Sequence, residues 1–395
     1  MRQQNKTRHT PRRALCSALI ATSCLMLAGT AAAANKQKLS VFQHGKSVVG
    51  LSCDTLPSQS GVLMGGGKDV KEAFTWMIDQ SRRCANPALG NFVVVSISSN
   101  STYNSIISKL GPVASVQTII VPTVDVANSP ELDSYIQNAS GIWITGGDQG
   151  DYYVNWKGSR LVDLIRKQID AHQVPIGGTS AGMMILSGFN YIAYPNTINS
   201  AQALANPYLA DSTSIKGDFW NSSANGSLWN KPTPISGLDY FVSDSHFAVR
   251  DRMGRLTAFL ARLSAADAGS YGLNVPNWYT PRAIGVDQET AVLLDATSVA
   301  GQLTSLTGTT LTNAGINGHS YVLTPSTQPI CNNGQPMSYS CAGTASGQWI
   351  FNAYVTRVSH GQTHDFLGGN VPTGMVSVNN GQISGEAQTG SGSLY

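Results

Sequence analysis

The chain has 395 residues, with 25 Lys and Arg against 22 Asp and Glu, a formal net charge of +3, and 40 glycines. This length holds one large or two small domains, and so balanced a charge gives no whole-surface attraction to nucleic acid or anionic lipid.

Arg2, Lys6, Arg8, Arg12 and Arg13 precede an apolar stretch from Ala14 to Leu27, which runs into Ala32-Ala33-Ala34. The pattern predicts an export signal over 1–34, cut after Ala34, with an apolar stretch too short for a membrane anchor. The five cations leave with it, so the mature chain is expected to carry 20 basic and 22 acidic residues, net −2. Cys16 and Cys24 leave too. Cys53, Cys84, Cys331 and Cys341 remain, which allows three pairings. Cys53 with Cys84 and Cys331 with Cys341 are expected, because each pair closes a modest loop, and the spacing fits no zinc pattern.

From Gly61 onward, buried strands alternate with amphipathic helices. Strands are predicted at Gly61 to Met64, Phe92 to Ile97, Thr118 to Val121, Gly141 to Ile144 and Val174 to Gly177. Helices are predicted at Lys71 to Ser81, Asn104 to Leu110, Leu132 to Gln137 and Leu161 to Ala171. Near-continuous apolar strands separated by helices indicate α/β architecture, a mainly parallel sheet with helices on both faces. Ligands bind such sheets beyond the carboxyl ends of the strands. Gly65-Gly66-Gly67 lacks the context of a phosphate loop and reads as a crowded first turn of the sheet. Asn190 to Gly237 breaks the rhythm with Pro195, Pro207, Pro232 and Pro234, an insertion that forms either a wall of the site or surface decoration. From Ile284 onward, Ala291 to Leu294, Tyr321 to Leu323 and Ala353 to Val355 suggest antiparallel strands finishing one domain over 35–376. Residues 377–395, polar and Gly-rich, read as a flexible tail.

The chemistry centres on Gly178-Thr179-Ser180-Ala181-Gly182, entered from Val174-Pro175-Ile176. This reads as a serine on a sharp strand-to-helix turn, its hydroxyl exposed for acyl transfer. A hydroxyl nucleophile needs a base, oxyanion donors and groups that orient the substrate. Thr145-Gly146-Gly147-Asp148-Gln149 ends a strand in two glycines, so its amides can approach a carbonyl oxygen. Asp244-Ser245-His246-Phe247 supplies an imidazole, followed by Arg250, Arg252 and Arg255. Those arginines form either a solvated helix face or a carboxylate grip.

In this order the motifs resemble those of the cyanophycinases of serine peptidase family S51, relatives of the aspartyl dipeptidases. The resemblance runs from Gly61 to Gly67 through Thr145 to Gln149, Gly178 to Gly182, and Asp244 to Phe247 with Arg250, Arg252 and Gly254-Arg255-Leu256. It ends at Ile284 to Asp287 with Thr290-Ala291. It implies a fold of the class I glutamine amidotransferase or flavodoxin type and an exported enzyme. In it Ser180 is the nucleophile and His246 the base, with an oxyanion hole near Gly147, Asp148 and Ala181. Gln149, Asp244, Arg250, Arg252 and Arg255 line the substrate pocket. The implied substrate is cyanophycin, polyaspartate bearing an arginine on each side chain, and the product is β-Asp-Arg. Ser245 stands where the family usually has glutamine. No Asp or Glu lies between Ser180 and Asp211 to orient the imidazole. Asp211, Asp218, Asp287, Asn190 and Asn196 are the candidates for that third position. Gln288 stands where a glutamate is common, with Glu289 next to it.

Two other readings remain. One is an esterase of another α/β type using Ser180 with a late histidine such as His364. The other is an impaired exported homologue that binds peptides without turning them over. His360 and His364 are expected to be surface histidines rather than a metal pair. No metal or organic cofactor is called for. The expected partner is cyanophycin or an aspartyl peptide, with no nucleic acid and no membrane, and a homodimer stays open.

Overall fold

The computed structural model describes residues 38–50, 58–82, 89–98, 101–209, 214–221, 233–299, 302–343, 348–368, 370–387 and 394–395. The leader, Asp211 and the Cys53–Cys84 pair lie outside these residues. The other expected pair, Cys331–Cys341, is joined, with Cα atoms 6.1 Å apart.

The first half of the chain supplies strands β1 (Ser40–Gly45), β2 (Ser58–Met64), β3 (Asn91–Ser96), β4 (Ser115–Ile120), β5 (Ala139–Ile144) and β6 (Ile176–Thr179). Interleaved with them are helices α1 (Lys71–Ser81), α2 (Thr102–Ile107), α3 (Val124–Ala127), α4 (Asp133–Ile136), α5 (Gln149–Trp156) and α6 (Arg160–His172). Strands β4, β3, β5, β6 and β2 lie side by side and parallel, and β1 closes one edge antiparallel to β4. Successive side chains of a strand point to opposite faces, which divides the apolar residues. Leu63, Val93, Val95, Ile142 and Ile144 pack with Tyr152, Trp156, Ile165 and Ile169 on one face. Val62, Met64, Phe92, Val94 and Trp143 pack with Phe74, Met77 and Tyr103 on the other.

Helix α1 has the predicted ends, and α6 extends the prediction by one residue on each side. It stops at Gln173, which takes a left-handed conformation (φ 53°), a common way for a helix to end. Strand β6 begins two residues later than predicted because Pro175 has no N–H to give to the ladder. Helix α5 lies outside the predicted elements. Its signals are an N-cap, Asp148, whose side chain accepts from Gly150 N at 2.8 Å, and the stacked pair Tyr152 and Trp156 one turn apart.

After Ser180 come α7 (Ala181–Met184), β7 (Asn190–Tyr191), α8 (Ser200–Ala205), β8 (Ile215–Lys216), β9 (Phe241–Asp244) and α9 (Met253–Leu263). Then follow β10 (Arg282–Val286), β11 (Thr290–Val299), β12 (Gln302–Thr312), β13 (Ser320–Pro325), β14 (Ile330–Cys331), β15 (Trp349–Val358), β16 (Thr363–Asp365), β17 (Gly374–Asn379) and β18 (Gln382–Ala387). The predicted antiparallel strands are present but serve two sheets. β11, β12 and β16 extend the first sheet beyond β2. A second sheet runs β18-β17-β15-β13-β10-β9, with β14 on β15 and only β9–β10 parallel among the described residues. Helix α9 packs on this sheet with Phe259, Trp349 and Phe351 in its core.

The flexible tail expected over 377–395 is corrected for its described residues, 377–387 and 394–395. Val376 and Val378 alternate into the core of β17, and β18 pairs with that strand along its length. Tyr395 packs against Phe247, and its hydroxyl accepts from Met253 N and donates to Asp251 Oδ1. Glycine and serine dominate the composition there, and they mask a short period-two pattern.

The turn out of β6 depends on backbone contact. A Cβ on Gly182 would collide with the carbonyl oxygens of Ile144 and Thr145, and one on Gly178 would meet the backbone of Gly182. Gly182→Ala is therefore expected to destabilise the chain by about 1–3 kcal/mol, as overpacking does, read as a lower urea midpoint than that of the parent.

Candidate active site

Three carbonyls in succession at the exit of β2 gather the site. Met64 O accepts Ser180 N–H at 2.9 Å, Gly65 O accepts His246 N–H at 2.7 Å, and Gly66 O accepts Glu289 N–H at 2.8 Å. All three donors have left-handed backbones, with φ of 54° at Ser180, 47° at His246 and 54° at Glu289. The triple glycine is thus crowded by the site itself. A side chain on Gly65 would run into the Asp287 carbonyl, and one on Gly66 into the His246 ring. One on Gly67 would have its Cβ 3.2 Å from that of Gln288.

Ser180 caps the turn from β6 into α7, at the carboxyl end of the parallel sheet, and His246 follows β9. Ser180 Oγ and His246 Nε2 are 2.7 Å apart. The far side of the ring, Nδ1, lies 2.6 Å from the side-chain amide of Gln288. Burial, then the charges of Arg250 and Arg252, push the imidazole down to about 4, against a smaller opposing pull from Asp244. The ring is therefore neutral at physiological pH and can accept a proton.

Gln288 thus occupies the third position of the site, and the four described residues among the five that the sequence put forward do not. Asp211 lies outside the described residues, and Asp218 pairs with Lys157 and Tyr153. Asp287 accepts the N–H groups of Ala248 and His319, each at 2.9 Å. Asn190 donates to Met184 and Ser187 carbonyls, and Asn196 is exposed. Glu289 turns away to Asn313, 3.0 Å from its Oε2. The signal for Gln288 in the sequence is its place two residues past the strand that ends in Ile284-Gly285-Val286.

Beside Ser180 lies the Gly146-Gly147 turn at the end of β5. A Cβ on Gly146 would sit 3.4 Å from that of Ser180. Gly147 and Asp148 are exposed, Gln149 is half-buried at the start of α5, and Ala181 is buried at the start of α7.

The expected substrate pocket divides in two. Arg250 is exposed. Asp244 and Arg255, by contrast, are buried and spent on each other, which corrects their assignment as substrate contacts. Arg255 makes a two-pronged contact with Asp244 (2.8 and 2.6 Å) and gives its remaining nitrogen to Thr197 and Ile198. Arg252 joins them, donating to Asp244 and to the Ser245 carbonyl. The helix bearing Arg255 is buried on all sides rather than a solvated face.

His364 lies on β16, buried against Phe366, while the Ser180 hydroxyl meets His246, so the esterase reading loses its base. His364 is thus no surface residue, and His360 accepts from Thr312 N at 3.0 Å. Among the described residues no cluster of three His, Cys, Asp or Glu can hold a metal, and no helix is long and apolar enough to cross a membrane.

Residues 57–205 match the model of peptidase family S51. Over that segment the chain is similar to peptidase family S51. A protein named cyanophycinase from Nostoc sp. is 26% identical over 133 residues, 34% of this chain and 37% of that protein. The match thus spans little more than a third of that relative's length. A cyanophycinase from Geminocystis herdmanii is 23% identical over 209 residues, 51% of this chain and 68% of the relative. The crystal structure of a peptidase from an acI-B1 actinobacterium aligns with a TM-score of 0.41 at 13% identity, covering 78% of this chain and 96% of that one. The S51 match contains Ser180 and stops short of His246 and Gln288, which chain folding brings to it.

Breaking a buried pair from one side leaves a charge uncompensated. Arg255→Ala is expected to cost about 3–5 kcal/mol of stability, whereas exposed Arg250→Ala should stay within about 0.5 kcal/mol. Urea unfolding of the two variants separates the roles.

Proposed function

We propose that this chain is an exported serine peptidase that hydrolyses cyanophycin to β-Asp-Arg dipeptides. The observation that carries the reading is the 2.7 Å approach of Ser180 Oγ to a neutral His246 Nε2, in a chain that matches the S51 model over residues 57–205 and is similar to proteins named cyanophycinase. Export rests on the basic and apolar pattern of residues 1–34.

In the first step Ser180 Oγ bonds to the carbonyl carbon of the scissile peptide while its proton passes to His246 Nε2. Negative charge gathers on the carbonyl oxygen, where the backbone amides of Gly147, Asp148 and Ala181 receive it. The C–N bond then breaks, Nε2 returns the proton to the departing amine, and an ester on Ser180 remains. Water, deprotonated by the same nitrogen, releases the acyl group as a carboxylate and restores the hydroxyl. Arg250, exposed and acting on the imidazole by its charge, is assigned to a substrate carboxylate, and Gln149 to a polar contact with the substrate.

Purified mature protein is expected to release β-Asp-Arg from insoluble cyanophycin, followed by chromatography of the supernatant. Ser180→Ala should lower the rate by roughly 10⁴-fold or more. An alanine variant that digests as fast as its parent ends the assignment.

A further inference from the structure

The third group of the site is an amide where a carboxylate would serve the same geometry, and the structure explains how this works. Gln288 sits 2.6 Å from His246 Nδ1 on the side opposite Ser180. For Ser180 to donate to Nε2, the ring must carry its proton on Nδ1, and that proton needs an acceptor. The atom nearest Nδ1 is Gln288 Nε2; the two ends of the amide are alike in shape, and proton balance requires the amide turned over, with the carbonyl oxygen Oε1 facing the ring, in the working state. With the NH₂ end inward, the ring would hold its proton on Nε2 and could not take one from Ser180.

We propose that Gln288 is the positioning residue of this site, an uncharged acceptor that fixes His246 in its Nδ1–H form without adding the negative charge that would favour the imidazolium. The inference rests on the Ser180–His246 reading above and adds its regulation by pH. The surroundings agree. Gly67 leaves room for the Gln288 side chain, and the Glu289 N–H bond to Gly66 fixes the turn that carries it. The neighbouring carboxylates do not take its place. Asp287, one residue earlier, is committed to the Ala248 and His319 amides, and Glu289, one later, to Asn313. The remaining charges acting on the ring are Arg250 and Arg252, which oppose protonation, and Asp244, which favours it but is held by two arginines. Burial and cations therefore dominate, and the base stays neutral well into acid.

The sign follows directly. A lowered imidazole pKa means the base works above the midpoint near 4 and is lost only as pH falls through it. A carboxylate at 288 would lie close enough to favour the charged ring and raise that midpoint by about 1–3 units.

The test uses the full mature chain with parent, Gln288→Glu and Gln288→Met, the last similar in length but without an acceptor. Each variant's thermal midpoint is checked against the parent. Two readouts need no knowledge of the substrate: the pH dependence of fluorophosphonate labelling of Ser180, and the ¹⁵N shifts of the His246 ring, which report its tautomer. The parent should label with a midpoint of about 4 and show protonated Nδ1. Gln288→Glu should move the midpoint above about 5. Gln288→Met should label at least about tenfold more slowly and lose the tautomer preference. A methionine variant that keeps the parent's rate, midpoint and Nδ1–H signal overturns the proposal, as does a glutamate variant whose midpoint does not rise. A parent that fails to label at any pH refutes Ser180 as nucleophile, and the ring shifts of the methionine variant then still decide the role of Gln288.

Discussion

The exit of β2 is the constraint on which the site depends. Its three successive carbonyls hold the backbones of Ser180, His246 and Glu289, although Ser180 and His246 are 66 residues apart and His246 and Gln288 are 42 apart. Each of the three bonded residues has a left-handed backbone, which costs of order 1–3 kcal/mol apiece. A backbone hydrogen bond returns a net 0.5–1.5 kcal/mol or so, so the clamp alone does not offset the strain. The rest comes from the sheet. β2 is paired on one side with β6 and on the other with β11, and all its residues are buried. Strain at the site is thus sustained by a strand that cannot move without unpairing both halves of the first sheet.

A second, electrostatic layer lies behind the first. Asp244 at the end of β9 takes Arg255 from α9 and Arg252 from the turn before it. Arg255 also reaches Thr197 and Ile198 and lies over the Tyr191 ring, so the segment after β7 is bolted to the strand that presents His246. Arg252, together with the exposed Arg250, outweighs the pull of Asp244 on the imidazole. That imbalance adds to burial in keeping the ring neutral. Of the arginines that in sequence read as a grip for an acidic substrate, Arg255 is spent on Asp244 and Arg252 is shared between Asp244 and the charge acting on the base.

Burial and backbone contact decide which of these features are legible in the sequence. The α/β alternation is readable because each parallel strand is covered on both faces and so shows as an unbroken apolar run. The Ser180 turn is readable because close backbone approach needs Gly178 and Gly182 at fixed offsets. Helix α5 is hidden: its buried apolar residues, Tyr152 and Trp156, lie a single turn apart and make too short a stripe to show a period. Arg255 is misplaced because a charge in sequence carries no mark of its burial. The partner that neutralises it, Asp244, is 11 residues away, a pairing decided by how α9 packs on β9 and β10. The strands β17 and β18 are lost to composition, since Val376 and Val378 supply only two buried alternations.

The turn from β10 to β11 shows how one short segment serves three directions. Asp287 secures the chain just past His246 through Ala248, and secures β13 through His319. Gln288 turns to the imidazole, and Glu289 to Asn313. The left-handed φ at Glu289 is what parts the last two: neighbouring residues across such a bend diverge, so the carboxylate of 289 cannot replace the amide of 288 without remaking the Gly66 hydrogen bond. Proximity of a glutamate in sequence therefore does not supply a charge to the base. Backbone geometry at a single residue decides that the ring meets an amide, and with it the acidity at which the serine can be activated.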